Sequence, residues 1–339
     1  MDKLVFFNNS DLSRLLNIRA FESKFGEHVH LCPPACNIYE HLETLDVKYV
    51  LIGLPETIGD FANLGTRKTS SIWEDTLKSL LNIQKNEFTN PEHVLILGHL
   101  CFEKELTKIN ELDCSIDKQL SKARKIVSKI DKHVTHLIYT IKKAGKTPIV
   151  IGGGPNNAYG NIKGSALAAN TQISAINLDT HSNFKPEEGR HSRNGFTYAF
   201  SEGFLDTYFM FGLQEIHLSN TILKTITKLN HIHFSSYDAM EIRQTTSFKK
   251  EMKRALSYVE DKPIGIEIDC NTIEEVTNKP TCIGGFSLKK VRQFVHYFGK
   301  QEHVQYLHIY KTQVTDLNTE HIGSLNTYLI TDFIQAHSK

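Results

Sequence analysis

Short apolar runs alternate with longer amphipathic stretches along almost the whole chain. The runs at 49–53, 94–98, 147–152, 173–179, 208–211, 231–234, 263–269 and 306–310 are rich in Val, Ile, Leu and aromatic residues. Several are nearly continuous in apolar character, as expected of strands covered on both faces. Between them, 70–82, 116–144, 221–229, 247–258, 287–298 and 324–336 carry apolar residues at helical spacing. Ile72, Leu77, Leu80 and Leu81 share one side of the first of these. Strand–helix alternation on this scale predicts an α/β protein with one doubly wound, mainly parallel sheet and helices on both faces. Residues 1–40 break the alternation and read as an N-terminal arm, leaving 41–339 as a single α/β domain. No internal repeat, low-complexity segment or linker interrupts it.

Composition narrows the function classes. Lys plus Arg total 39 and Asp plus Glu 38, a formal net charge of +1, so no basic field for nucleic acid is expected. No apolar run approaches the roughly 20 residues of a membrane helix. Leu4-Val5-Phe6-Phe7 is too short for a signal-peptide core, so a cytoplasmic protein is expected. Six scattered cysteines suit reduced thiols better than a disulfide framework. His28, His30, Cys32 and Cys36 are zinc-capable, but Pro33-Pro34 imposes an extended path and the spacing is unlike a zinc finger. They read as an irregular loop with partly buried thiols.

In such a sheet, sites form beyond the carboxyl ends of the strands. Three strand ends carry polar clusters: Gly152-Gly153-Gly154-Pro155-Asn156-Asn157, Asp179-Thr180-His181-Ser182-Asn183, and Asp269-Cys270-Asn271. Side chains two apart on a strand share a face, so Asp179 and His181 aim the same way, as do Asp269 and Asn271. Asp-x-His suits a metal site; a carboxylate at 183 would complete a triad, but that residue is Asn183. The glycines form neither a Gly-x-Gly-x-x-Gly nor a Walker motif, and read instead as a close backbone approach to a neighbouring loop. Asn194-Gly195 marks a turn in the polar loop 190–195; His191 there reads as a solvated loop histidine, with a proton-shuttle role as the alternative. Nothing resembles a Gly-x-Ser-x-Gly hydrolase elbow.

The order of these clusters resembles the ureohydrolase family of arginases, agmatinases and formimidoylglutamases. The resemblance runs from about 49 to 333. It includes Gly53-Leu-Pro-Glu-Thr-Ile-Gly59, Gly160-Asn-Ile-Lys-Gly164, Gly189-Arg-His-Ser192 and Leu329-Ile-Thr-Asp-Phe333. Gly152-Gly153-Gly154 and Asn156-Asn-Ala-Tyr-Gly160 are most similar to the formimidoylglutamase-like branch. It implies a three-layer α/β/α sandwich around a mainly parallel sheet of roughly eight strands. It also implies hydrolysis of a linear amidine or guanidine C–N bond by a hydroxide bridging two Mn²⁺. By the same resemblance, Asp179, His181 and Asp269 are retained ligands, while Pro155, Asn183 and Asn271 replace a histidine and two aspartates. Three of six ligand positions are thus changed, so at most one weakly held Mn²⁺, or none, is expected. Asn194 and Lys311 fall in the implied substrate region, and Lys311 stands where the family has a glutamate, a reversal that repels a cationic substrate. Two functions are therefore expected as alternatives: an inactive or impaired family member kept for binding or assembly, or a C–N hydrolase using one metal. The partners implied are a small molecule in the cleft and an oligomer, of identical copies or with an active paralogue.

Overall fold

A computed structural model describes residues 2–33, 37–65, 72–276, 284–311 and 319–338. Among the described residues, ten strands form one sheet: β1 (Leu4–Phe6), β2 (His30–Leu31), β3 (Tyr49–Gly53), β4 (Val94–Leu100), β5 (Thr147–Ile151), β6 (Ile173–Leu178), β7 (Leu205–Leu213), β8 (Ile232–Ser236), β9 (Ile264–Asp269) and β10 (Val304–Tyr310). Their order is β1-β4-β3-β5-β10-β9-β6-β7-β8, with β2 also on β4. Only β1 runs antiparallel to its neighbour. All eight strands expected from the apolar runs are present. The two additional strands come from the first forty residues, of which β2 joins the sheet through His30↔Leu95 and Leu31↔Ile96.

The helices used below are α1 (Ile72–Leu80), α2 (Asp117–Lys143), α3 (Ala158–Ala169), α4 (Gly195–Ser201), α5 (Asn220–Lys228), α6 (Phe248–Val259), α7 (Leu288–Gly299) and α8 (Thr319–His337). Strand alternation sorts the core into two faces. Tyr49, Leu51, Ile149, Ile151, Ile266, Ile268, Leu307 and Ile309 pack against α1, α6, α7 and α8. Val50, Ile52, Leu95, Leu97 and Val150 pack on the other face against the stripe Ala123, Val127, Ile130, Val134, Leu137, Ile138 and Ile141 of α2. Ala175, Tyr208, Met210 and Tyr306 extend that face beneath α3 and α4. The result is the expected three-layer sandwich. No helix among the described residues is long and apolar enough to cross a membrane.

The N-terminal histidine and cysteine group is drawn into this architecture piecemeal. His28 meets Ser23 Oγ at 2.7 Å, His30 lies in β2, Cys32 is buried, and Cys36 falls outside the described residues. Cys101 and Cys270 are free thiols.

Two glycines set how closely α3 approaches α2. A Cβ on Gly160 would lie 2.7 Å from Val134 Cβ, and one on Gly164 would lie 2.7 Å from the Thr135 carbonyl oxygen. Backbone cannot yield as a side-chain tip can. Gly164→Ala is therefore expected to destabilise by about 1–3 kcal/mol despite the better helix propensity of alanine. Thermal unfolding of the variant checks this, and an unchanged or raised melting temperature would contradict the packing argument.

Candidate metal centre and its surrounding loops

Four neighbouring strands, β5-β10-β9-β6, carry the polar ends singled out in the sequence. Register places them side by side, with Leu178 opposite Ile268 and Tyr310 opposite Asp269. Asp179, the residue after β6, is completely buried. Its Oδ1 accepts the His181 backbone N–H at 2.8 Å, the turn that an aspartate commonly forms with its own following backbone. Its Oδ2 accepts from Asn183 Nδ2 at 2.5 Å and from the Tyr310 hydroxyl at 3.2 Å. Asn183 sits in the left-handed region, with φ 48°, which asparagine tolerates better than most residues. Its Oδ1 accepts from Arg193 at 3.2 Å.

The second carboxylate is equally occupied. Asp269 Oδ1 accepts the Asn271 backbone N–H at 2.8 Å, and Oδ2 accepts from Lys311 Nζ at 2.9 Å. Lys311 follows β10 with φ 57°, and its N–H donates to the Gly153 carbonyl at 3.1 Å. The close backbone approach for which the glycines leave room is to the loop after β3: a Cβ on Gly152 would lie 3.0 Å from the Leu54 carbonyl oxygen. Pro155 is buried at the head of a short 3-10 turn and presents no donor atom to the cluster. The structure thus brings Asp179, Asn183, Asp269 and Lys311 together. His181 is at their edge, its Nδ1 meeting Thr180 Oγ1 at 2.8 Å and its ring stacked on His217 with centroids 4.2 Å apart.

Electrostatics follow from this burial. Burial opposes a charge on Asp179, yet Lys311, the His181 hydrogen bond and Arg193 outweigh it and hold the carboxyl well below the usual carboxylate range. Burial, and then the charge of Asp179, push Asp269 up to about 7 against the pull of Lys311. Burial takes His181 down to about 4, against the Asp179 contact.

A second network lies in the loop before α4. Asp131 interrupts the apolar stripe of α2 and is buried. Arg190 reaches it with Nε to Oδ2 at 2.8 Å and an Nη2 to Oδ1 at 3.1 Å. The same guanidinium donates to Asn194 Oδ1 at 2.7 Å and to the Asn156 carbonyl at 2.9 Å. Asn194 is consumed by the loop itself: its oxygen also accepts the His191 N–H at 3.0 Å, and its amide donates to the carbonyls of Gly189 and Pro186.

His191 departs from the solvated position expected of a polar loop, because it is fully buried. The loop folds back and satisfies the ring internally. Nδ1 accepts the Arg193 N–H at 3.1 Å, which leaves the ring proton on Nε2, facing Glu188 Oε1 at 3.1 Å. Burial first, and then the Arg124 guanidinium, lower its pKa to about 4 against Glu188. The unfolded chain therefore takes up a proton near 6.5 that the folded chain refuses until about 4. Stability from this group is complete above about pH 6.5 and is lost as pH falls toward 4. Urea titrations across that window are expected to show falling stability, with a shallower fall in His191→Gln; equal slopes would contradict it.

Two buried polar pairs escaped the sequence reading. Glu56 Oε1 accepts the amides of Asn156 at 2.9 Å and Asn157 at 2.8 Å, tying the glycine turn to the loop after β3. Glu267 and His308 lie opposite each other in β9 and β10, with His308 Nδ1 2.6 Å from the carboxylate and Nε2 3.0 Å from the Gly152 carbonyl. Glu267 and His308 are polar residues inside otherwise apolar strand runs, which is the signal that could have found them.

Among the described residues, no group of three or more His, Cys, Asp or Glu side chains is placed to hold a metal ion. A separate groove of about 1140 Å³, lined by Met240, Phe248, Lys290 and Tyr297 among others, lies away from Asp179 and Asp269. The sequence pattern of the arginase family matches residues 66–310. The chain belongs to the arginase family. Within it, the formimidoylglutamase of Streptococcus gordonii is 26% identical over 155 residues, 42% of this chain and 46% of that protein. That of Streptococcus pyogenes serotype M3 is 29% identical over 136 residues, 37% of this chain and 41% of the relative. The aligned stretch thus spans less than half the length of these relatives. Over nearly the whole fold, this arginase-family chain superposes on formimidoylglutamase from Bacillus subtilis with a TM-score of 0.68 at 14% identity, covering 98% and 99% of the two chains. Formiminoglutamase from Trypanosoma cruzi with Mn²⁺ gives 0.70 at 16% identity, covering 94% and 99%.

Proposed function

We propose that this arginase-family chain is a formimidoylglutamase-like protein that no longer assembles a binuclear manganese centre and is kept for binding or assembly. The donor chemistry at Asp179 carries the proposal: Asn183 turns its amide nitrogen, not its oxygen, to the carboxylate. Two divalent cations a few Å apart need several bridging and terminal carboxylates. Here the cluster has Asp179 and Asp269 alone, both already hydrogen-bonded, with Pro155 and the amides Asn183 and Asn271 where the resemblance implies ligands. Such a donor set does not fit two Mn²⁺. We place the protein in the cytoplasm, as an oligomer of identical copies or with an active paralogue, with a small molecule in the cleft.

The test is the metal content of the purified protein, together with turnover of formimidoylglutamate, arginine, agmatine and guanidinobutyrate with added Mn²⁺. Less than stoichiometric metal and no turnover are expected, and a nearly full two-ion complement would overturn the proposal. A second reading is a hydrolase with one metal, favoured by Asp179 and His181, 3.7 Å apart after β6, with Asp269 at the end of neighbouring β9. Mn²⁺-dependent turnover abolished by Asp179→Ala would establish it instead.

A further inference from the structure

We infer that Lys311 is the resident cation of this site: its tethered ammonium neutralises the Asp179–Asp269 pair and keeps divalent ions out. The inference rests on the proposed loss of the metal centre and adds what took the metal's place. Two buried carboxylates at adjoining strand ends cannot both stand in a poorly solvated space without positive charge. Lys311 Nζ lies 2.9 Å from Asp269 Oδ2, and the two side chains are 8% and 1% exposed. A lysine head group normally reaches for water, so one this enclosed is held by its partner. The backbone is also committed, because Lys311 adopts a φ of 57° and is pinned by its N–H to Gly153. A non-glycine residue in that region costs about 1–2 kcal/mol. Its ammonium lies 5.9 Å from the Tyr310 ring centroid, and the Tyr310 hydroxyl shares its proton between Asn177 Oδ1 at 2.8 Å and Asp179 Oδ2 at 3.2 Å. Lysine and tyrosine thus cap the two carboxylates from neighbouring positions on one strand end. A cation on Asp269 Oδ2 would have to displace the ammonium that already occupies that oxygen.

The test is a melting cycle on the full chain at neutral pH with wild type, Lys311→Met, Asp269→Asn and the double variant, each with and without millimolar MnCl₂. Lys311→Met is expected to melt about 5 °C lower, since it leaves an unpaired buried charge. The double variant should recover at least half of that loss, because neither charge remains. Mn²⁺ should raise the melting temperature of Lys311→Met and not of wild type or the double variant. If Lys311→Met fails to fold, a folded double variant still supports the inference, and an unfolded one overturns it. Wild-type stability in Lys311→Met, or a double variant no more stable than it, also overturns it while leaving the proposed function standing. A Lys311→Met protein that melts low but ignores Mn²⁺ overturns the exclusion of metal by Lys311. A wild type stabilised by Mn²⁺, with the cycle still coupled, overturns both the proposed function and the exclusion of metal by Lys311, while the ion pair survives.

Discussion

Arg190→Ala is expected to lower the free energy of unfolding by about 3–5 kcal/mol, the usual result of removing one partner from a buried ion pair. The arginine and Asp131 side chains are each 5% exposed, so the carboxylate left behind could not turn to solvent. Burial already pushes Asp131 up to about 6 with the guanidinium in place, and losing the cation removes the group opposing that rise. The guanidinium also lies between the Tyr159 and Tyr198 rings, 5.0 and 5.1 Å from their centroids, so apolar contact is lost as well. Arg190 is the only side chain in its loop that joins α2, Asn156 and Asn194 at once among the contacts described. Its removal should therefore loosen the loop that delivers Arg193 to Asn183. Denaturant unfolding of Arg190→Ala checks the magnitude. Replacing both members with apolar residues, Asp131→Leu with Arg190→Met, should recover much of the loss. A single variant within 1 kcal/mol of wild type would show that the pair contributes little.

What was legible in the sequence follows from the length scale of each signal. Five- to nine-residue apolar strands such as β3 and β7 carry enough residues to declare themselves. Leu4–Phe6 and His30–Leu31 do not, since a three- or two-residue strand has no periodicity and owes its form to β4. The strand ends were readable because Asp179 and Asp269 each terminate an apolar run. Asp131 is a single charge within an apolar stripe and was not singled out in the sequence; its partner is 59 residues away and no local pattern names it. His191 misled for a related reason: a polar loop implies exposure, and here the polar groups satisfy one another, which lets the ring be buried. Lys311 announced a reversed charge. Only the fold shows that the charge turns inward, onto Asp269.

That inward turn sets the expectation for restoring the implied ligands. Pro155→His, Asn183→Asp and Asn271→Asp together are expected to bind Mn²⁺ poorly while Lys311 remains, and to approach a full complement once Lys311→Glu is added. Lys311 Nζ sits 2.9 Å from Asp269 Oδ2, so an ion sharing that carboxylate would lie about 4 Å from the ammonium. At an effective dielectric of about 20, a single and a double positive charge at that distance repel by about 8 kcal/mol, a penalty of several orders of magnitude in affinity. The apoprotein should show the opposite preference. Three added carboxylates, at 183, 271 and 311, increase like-charge repulsion around Asp179 and Asp269, and removing Lys311 withdraws the ammonium bonded to Asp269. The fourfold variant is therefore expected to melt below wild type without metal and to gain stability steeply with Mn²⁺, whereas Asn183→Asp alone should not raise the metal-free melting temperature. Elemental analysis, melting curves with and without Mn²⁺, and formimidoylglutamate turnover separate the outcomes. Equal metal uptake with and without Lys311 would mean that the residues at 155, 183 and 271, and not the tethered cation, limit manganese binding.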